Sequence, residues 1–164
     1  RSPSRGLGDV YKRQLELQSL VLRELGLEVP VATTQVVGRD RYIEWVGWMS
    51  NVATSIEKVL QEIRNLQRTE IGEVAESFDL KKQVGSSTMA HKKNPITAEN
   101  ACGLARIVRS MMIPSYENAL LWHERDLANS SSERFTLSHA MILLDDVFSK
   151  CNSCLLYTSD AADE

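Results

Sequence analysis

The sequence predicts an all-α fold, an elongated helical bundle, and three observations carry that prediction. Val46, Met49, Ala53, Ile56, Leu60 and Ile63 recur at alternating steps of three and four, the spacing of one helix face. Ala101, Leu104, Ala105, Val108 and Met111 or Met112 form a second such stripe, and Leu137, Met141, Leu144 and Phe148 a third. The β-branched residues between Leu27 and Arg41 find no partner strand elsewhere, so they read as an extended connection.

In chain order, residues 1–14 lack apolar periodicity, as does the tail 151–164. Both resemble translated sequencing-adapter sequence, so both are set apart as non-native segments; frayed natural termini are the alternative. The helical domain is expected over 15–150. Leu15 to Leu25 is helical, with Gly26 placed to stop it. A long helix starts near Asp40 and is expected to reach about Ser77, a length of about 55 Å at ~1.5 Å per residue. Trp45, Val52, Val59 and Leu66 widen its stripe towards more than one neighbour. From Phe78 to Asn94 periodicity disappears, and a stretch of this kind in a compact domain is usually functional or disordered. Pro95 opens the next helix and Pro114 is expected to close it. A shorter segment runs from about Tyr116 to His123, with Trp122 its largest apolar residue. Asn129, Ser130, Ser131 and Ser132 are N-cap candidates, and Ser130 with Glu133 fits a capping box before the last helix.

Composition narrows the function classes. The hydrophobic share of 43% and charged share of 25% are those of a soluble globular protein. A net charge of −3 argues against a nucleic-acid binder that relies on a positive field. No run approaches the ~18 apolar residues of a membrane span, and no secretory leader pattern opens the chain. Cys151-x-x-Cys154 has redox or metal spacing, but no second pair or nearby histidine completes a site. Free thiols in a reducing cytoplasm are the expectation, with no metal. The stripes are wider than three helices can hide, so the chain belongs to a longer one or oligomerises through its helices.

The chemistry concentrates in Gly85-Ser86-Ser87-Thr88-Met89-Ala90-His91-Lys92-Lys93-Asn94-Pro95. A core has no use for that density of short polar and cationic side chains, so the run reads as a loop. A serine abstracts a proton only when its alkoxide is stabilised, by an ammonium group or by backbone N–H groups in a glycine-containing turn. Lys92 is close in sequence to Ser86 and Ser87, and it could also stabilise charge that builds on a carboxylate beside a deprotonated carbon. Asn94 offers a donor and an acceptor to a polar substrate. A solvated basic loop with incidental serines is the competing reading. His91 is either a site residue or a local hydrogen-bonding one; the adjacent lysines disfavour its charged form.

This run resembles the signature of the fumarase/aspartase superfamily, G-S-S-x-M-P-x-K-x-N-P. The histidine at position 91 is similar to that of adenylosuccinate lyases and the related carboxymuconate cycloisomerases. The segments Thr34 to Arg41, Glu62 to Glu70 and Trp122 to Arg134 resemble the adenylosuccinate lyase family of bacteria and archaea. The resemblance covers about Leu15 to Ser149. It implies a fumarase/aspartase-like central helical domain with signature loop 79–95, from a cytoplasmic homotetramer whose sites combine residues of three subunits. It further implies a small-molecule substrate, a succinylated purine nucleotide, and elimination of fumarate without metal or organic cofactor.

Carried over by position, Ser86 is the general base, Ser87 its neighbour in the loop, and Lys92 and Asn94 hold succinyl carboxylates. Glu99 is an acid of the site, Gln35 binds substrate, and Arg125, Ser130 and Arg134 match phosphate-binding positions. Forked guanidinium donors and a helix N-terminus at Ser130 would suit a phosphate; surface pairs of Arg125 and Arg134 with Glu124 and Glu133 are the plainer alternative. Ala90 stands where the signature has proline, whose ring would stiffen the loop, so slower closure is expected. The family's acid histidine lies in an earlier region with no match here, which makes the chain an incomplete one and inactive alone. Two rival readings share these features: a 3-carboxy-cis,cis-muconate cycloisomerase-like enzyme, which needs no nucleotide phosphate, and a non-catalytic helical oligomerisation remnant.

Overall fold

A computed structural model describes residues 14–32, 36–76, 94–123, 127–157 and 159–160. Two units divide the chain after Val37. In the first, helix α1 spans Gln14–Glu24. It ends as the sequence predicts: Gly26 takes φ 66°, a left-handed conformation that glycine adopts without a Cβ clash. Its N–H donates to Arg23 O at 3.0 Å and that of Leu27 to Leu22 O at 2.8 Å, which satisfies two terminal carbonyls.

The second unit is a core of three helices, α2 (Asp40–Leu66), α3 (Ile96–Ser110) and α6 (Ala140–Tyr157), packed on one another. Short helices α4 (Met112–Glu117) and α5 (Ala128–Glu133) and a π-helical turn, Arg134–His139, connect α3 to α6. α3 runs antiparallel to α2: Arg64 faces Glu99 at one end, and Glu57 binds Arg109 at 2.5 Å further along. Two two-residue strands, β1 (Val74–Ala75) and β2 (Ser159–Asp160), make the only sheet among the described residues, antiparallel with Val74 opposite Asp160.

Periodicity located the face of α2 residue by residue, since all six stripe residues from Val46 to Ile63 are buried. Its end was overestimated. The helix stops at Leu66, about 40 Å long at ~1.5 Å per residue, because the chain then folds through a turn. There the N–H groups of Ile71 and Gly72 both donate to Arg68 O at 2.8 Å, with Gly72 at φ 62°. Pro114 does not close α3; it sits in the first turn of α4, where a missing N–H costs no helical bond. The predicted capping box is also absent. Leu127 occupies the N-cap position of α5, and Ser130 is inside the helix with its N–H on Leu127 O at 3.1 Å.

The last helix differs most from expectation. Its buried residues are Ala140, Leu144, Val147, Cys151 and Cys154, preceded by Thr136, whereas Met141 and Phe148 are about half exposed. α3 presents Ala98, Ala101, Cys102 and Ala105 to this core. Small residues on both sides let the helices approach closely, so bulk was a misleading guide to the buried face. The helix also continues to Tyr157, carrying Cys151 and Cys154 from the excluded tail into the core. Large apolar side chains remain outside it, among them Trp48, Ile113, Phe135 and Ile142. Trp48 and Trp45 stack with centroids 5.0 Å apart.

Candidate active site

The polar end of α2, the turn after it and the entry to α3 enclose a cleft of about 500 Å³. Its walls include Arg64, Gln67 and Arg68 on one side and Asn94, Pro95 and Glu99 on the other. The buried stripe of α2 ends at Ile63, and apart from Leu66 the residues from Arg64 to Glu70 are polar, so the helix end opens to water where the core stops. Arg64 is oriented by Nη1 donating to Gln61 Oε1 at 2.8 Å, and its Nη2 lies 3.9 Å from Glu99 Oε1. Arg68 Nε donates to Asn65 O at 3.4 Å. Two guanidinium groups facing a carboxamide and a carboxylate suit a polar anionic ligand with its own donors.

Below this cleft lies Glu76, 8% exposed. Its Oε2 accepts the Thr97 N–H at 3.1 Å and its Oε1 the Ala98 N–H at 3.2 Å, two orphan donors of the α3 N-terminus. The Cys154 thiol reaches the same Oε1 at 3.0 Å. The Glu76 N–H donates to Gln67 Oε1 at 3.0 Å. Burial, and then the hydrogen bond to Glu76, push the Cys154 thiol far above its ordinary value. Burial likewise raises Cys102 and Cys151, and none of the three is in a disulfide.

Of the residues singled out in the sequence, Asn94 and Glu99 meet in this cleft. Ser130 and Arg134 do not. They lie with α5 near the opposite end of α2, where Arg39 binds Glu133. Arg39 and Arg64 are separated by about 37 Å of helix at ~1.5 Å per residue, too far for one small ligand to span. Among the described residues, Arg134 is not paired with Glu133, which is held by Arg39 and by Asn129 Nδ2 at 2.9 Å. Ser86, Ser87, Ala90, His91 and Lys92 lie outside the described residues, as do Gln35 and Arg125. Sequence reasoning assigned no role to Arg64, Gln67, Arg68 or Glu76. The available signal was the polar run that follows the end of the apolar stripe. Among the described residues, no group of three or more His, Cys, Asp or Glu is arranged to hold a metal, and no helix is long and apolar enough to cross a membrane.

A long-helix core with a polar, anion-suited cleft at one end is the architecture of the helical lyases. Residues 5–110 match the family model described as lyase, and the chain belongs to that family, within the fumarase/aspartase superfamily. It is 56% identical over 131 residues to the adenylosuccinate lyase of Methanothermobacter thermautotrophicus, covering 80% of this chain and 29% of that protein. Against the adenylosuccinate lyase of Archaeoglobus fulgidus it is 46% identical over 139 residues, 85% of this chain and 31% of the relative. The chain thus spans about a third of the length of the curated relatives it matches. Among solved structures it resembles the 3-carboxy-cis,cis-muconate lactonizing enzyme from Pseudomonas putida, with TM-score 0.73 and 29% identity over 98% of this chain and 36% of that one. It also resembles the fumarate lyase from Mesorhizobium sp. BNC1, with TM-score 0.73 and 25% identity over 96% and 33%.

Proposed function

We propose that the whole protein is a cytoplasmic adenylosuccinate lyase of purine biosynthesis. It would release fumarate from adenylosuccinate, leaving AMP, and from the succinylated aminoimidazole carboxamide ribotide. The observation that carries this reading is the cleft that joins Asn94 and Glu99 to two arginines, in a chain 56% identical to an adenylosuccinate lyase. Ser86 takes the proton from the carbon beside a carboxylate, with Ser87 next to it in the loop. Lys92 stabilises the resulting carbanion, and the C–N bond then breaks to give fumarate. A histidine from outside this chain protonates the departing nitrogen. Lys92 and Asn94 hold the succinyl carboxylates, Glu99 is an acid of the site, Gln35 adds a further substrate contact, and Arg125, Ser130 and Arg134 take the phosphate.

The separation of Asn94 from Arg134 along α2, together with the exposed apolar residues, supports a homotetramer with sites shared between subunits. A cycloisomerase acting on a carboxymuconate is the rival reading, favoured by the structural likeness to the lactonizing enzyme but at only 29% identity. The full-length protein decides between them by turnover of adenylosuccinate and binding of AMP. Ser86→Ala should lower kcat by roughly 10²–10⁴-fold, the contribution of a general base. Unchanged fumarate release in that variant would remove Ser86 from the mechanism.

A further inference from the structure

We propose that Glu76 is a positioning residue for this cleft, a role that rests on the lyase reading for its catalytic consequence. Glu76 follows the end of β1, and four groups from three helices converge on it. Gln67, the C-cap of α2, accepts its N–H; Thr97 and Ala98 of α3 donate to its two carboxylate oxygens; Cys154 of α6 touches one of them. A buried carboxylate facing the N–H groups of a helix N-terminus is held by charge-assisted hydrogen bonds and by the helix dipole.

The geometry has two consequences for the site. Gln67 lines the cleft itself, and Thr97 and Ala98 lie between Asn94 and Glu99, so Glu76 fixes the two walls relative to each other. The chain that leaves Glu76 comes back at Asn94, so the same carboxylate holds together both ends of the stretch that contains Ser86 and Lys92. The Glu76 carboxylate is buried against the start of α3 and Cys154, and Glu76 meets the cleft lining through its backbone N–H on Gln67. Its effect is on where Asn94, Glu99 and the arginines stand. A displacement of ~1 Å in such groups can cost about 10²-fold in rate.

The test uses the full-length protein with Glu76→Gln, which keeps the shape but removes the charge, and Glu76→Ala. AMP-binding sites are counted by equilibrium dialysis, kcat/KM for adenylosuccinate is expressed per site, and amide exchange is followed at Thr97 and Ala98. The expected result is unchanged AMP stoichiometry in Glu76→Gln, faster exchange of both amides, and a fall in kcat/KM per site of roughly tenfold, with a larger fall in Glu76→Ala. Loss of folded protein alone would lower the number of sites and leave kcat/KM per site unchanged. That outcome overturns the proposal, as does a Glu76→Gln protein that cannot fold or whose kcat/KM per site stays within about twofold of wild type. Wild-type protein inactive on adenylosuccinate would sink the lyase reading instead. Amide exchange would then decide whether Glu76 anchors α3, and unchanged exchange would overturn the anchor.

Discussion

Arg39, at the head of α2, grips Glu133, the last residue of α5, with Nε on Oε1 at 2.5 Å and Nη2 on Oε2 at 3.1 Å. The guanidinium also lies over the Tyr42 ring, 5.4 Å from its centroid. The forked pair joins the start of the long helix to the end of the short one that carries Ser130, and so fixes the backbone of the neighbouring Arg134.

That pair makes stability depend on pH in one direction. The Arg39 hydrogen bond, against burial and with help from Asn129, holds the Glu133 carboxyl below its ordinary value. A depressed folded-state pKa stabilises the protein above the unfolded carboxylate pKa, and that contribution is lost as pH falls through the folded one. In the full-length protein, Arg39→Met should cost about 1–3 kcal/mol near neutral pH. It should also lose less stability than wild type on acidification below about pH 4.5. Urea midpoints measured on both sides of that window test it; parallel losses would exclude the pairing.

The core of the second unit depends on α2. Leu60 is fully buried in the core that α2 shares with α3 and α6, where alanine is common. Leu60→Ala removes methyl groups that small neighbours cannot replace, so a loss of about 2–5 kcal/mol is expected in chemical denaturation. Val59→Ala, one residue away but 43% exposed, should cost well under half as much.

Thiol chemistry should be silent in the folded state. The nucleophile is the thiolate, and burial raises Cys102, Cys151 and Cys154 alike. Iodoacetamide near neutral pH should label none of them faster than unfolding exposes them, and all three once denaturant is added. Mass spectrometry counts the adducts. Rapid single labelling of native protein would contradict the burial described for that cysteine.

Subunit mixing tests the shared site. Asn94→Ala and Arg134→Ala in the full-length protein damage opposite ends of α2, so each should be strongly impaired alone. Refolded together, the two should regain several times the activity of either, because some sites then draw both intact residues from different subunits. No gain on mixing would mean that both ends of one chain serve the same site.

Much of this was legible in the sequence, for reasons that the residues make plain. The α2 stripe was readable because apolar residues recur at steps of three and four from Val46 to Ile63 with mostly polar residues between them. The stop at Gly26 was readable because a glycine just past an apolar-periodic run is well placed to take the left-handed turn that ends a helix. Asn94 was singled out within the signature and Glu99 by the resemblance just beyond it, and both line the cleft at the entry to α3. What stayed hidden depended on distant partners. Glu76 meets Thr97 and Ala98 across more than twenty residues, and nothing local marks an acid as the cap of a helix elsewhere. The capping box at Ser130 failed because Arg39, far back in the chain, claims Glu133. The face of α6 was misjudged because alanine and cysteine, weak signals by size, do the packing.

The π-helical turn at Arg134–His139 carries a lesson for anyone lining up relatives of this chain. A wide turn of this kind holds one residue more than an α-helical turn, which uncouples the facing of what comes before from what comes after. Removing a single residue there would swing Ser130 and Arg134 by about 100° around the axis while the contacts of Ala140 and Val147 stayed put. An alignment that slides a one-residue gap across this point would equate side chains that look in different directions.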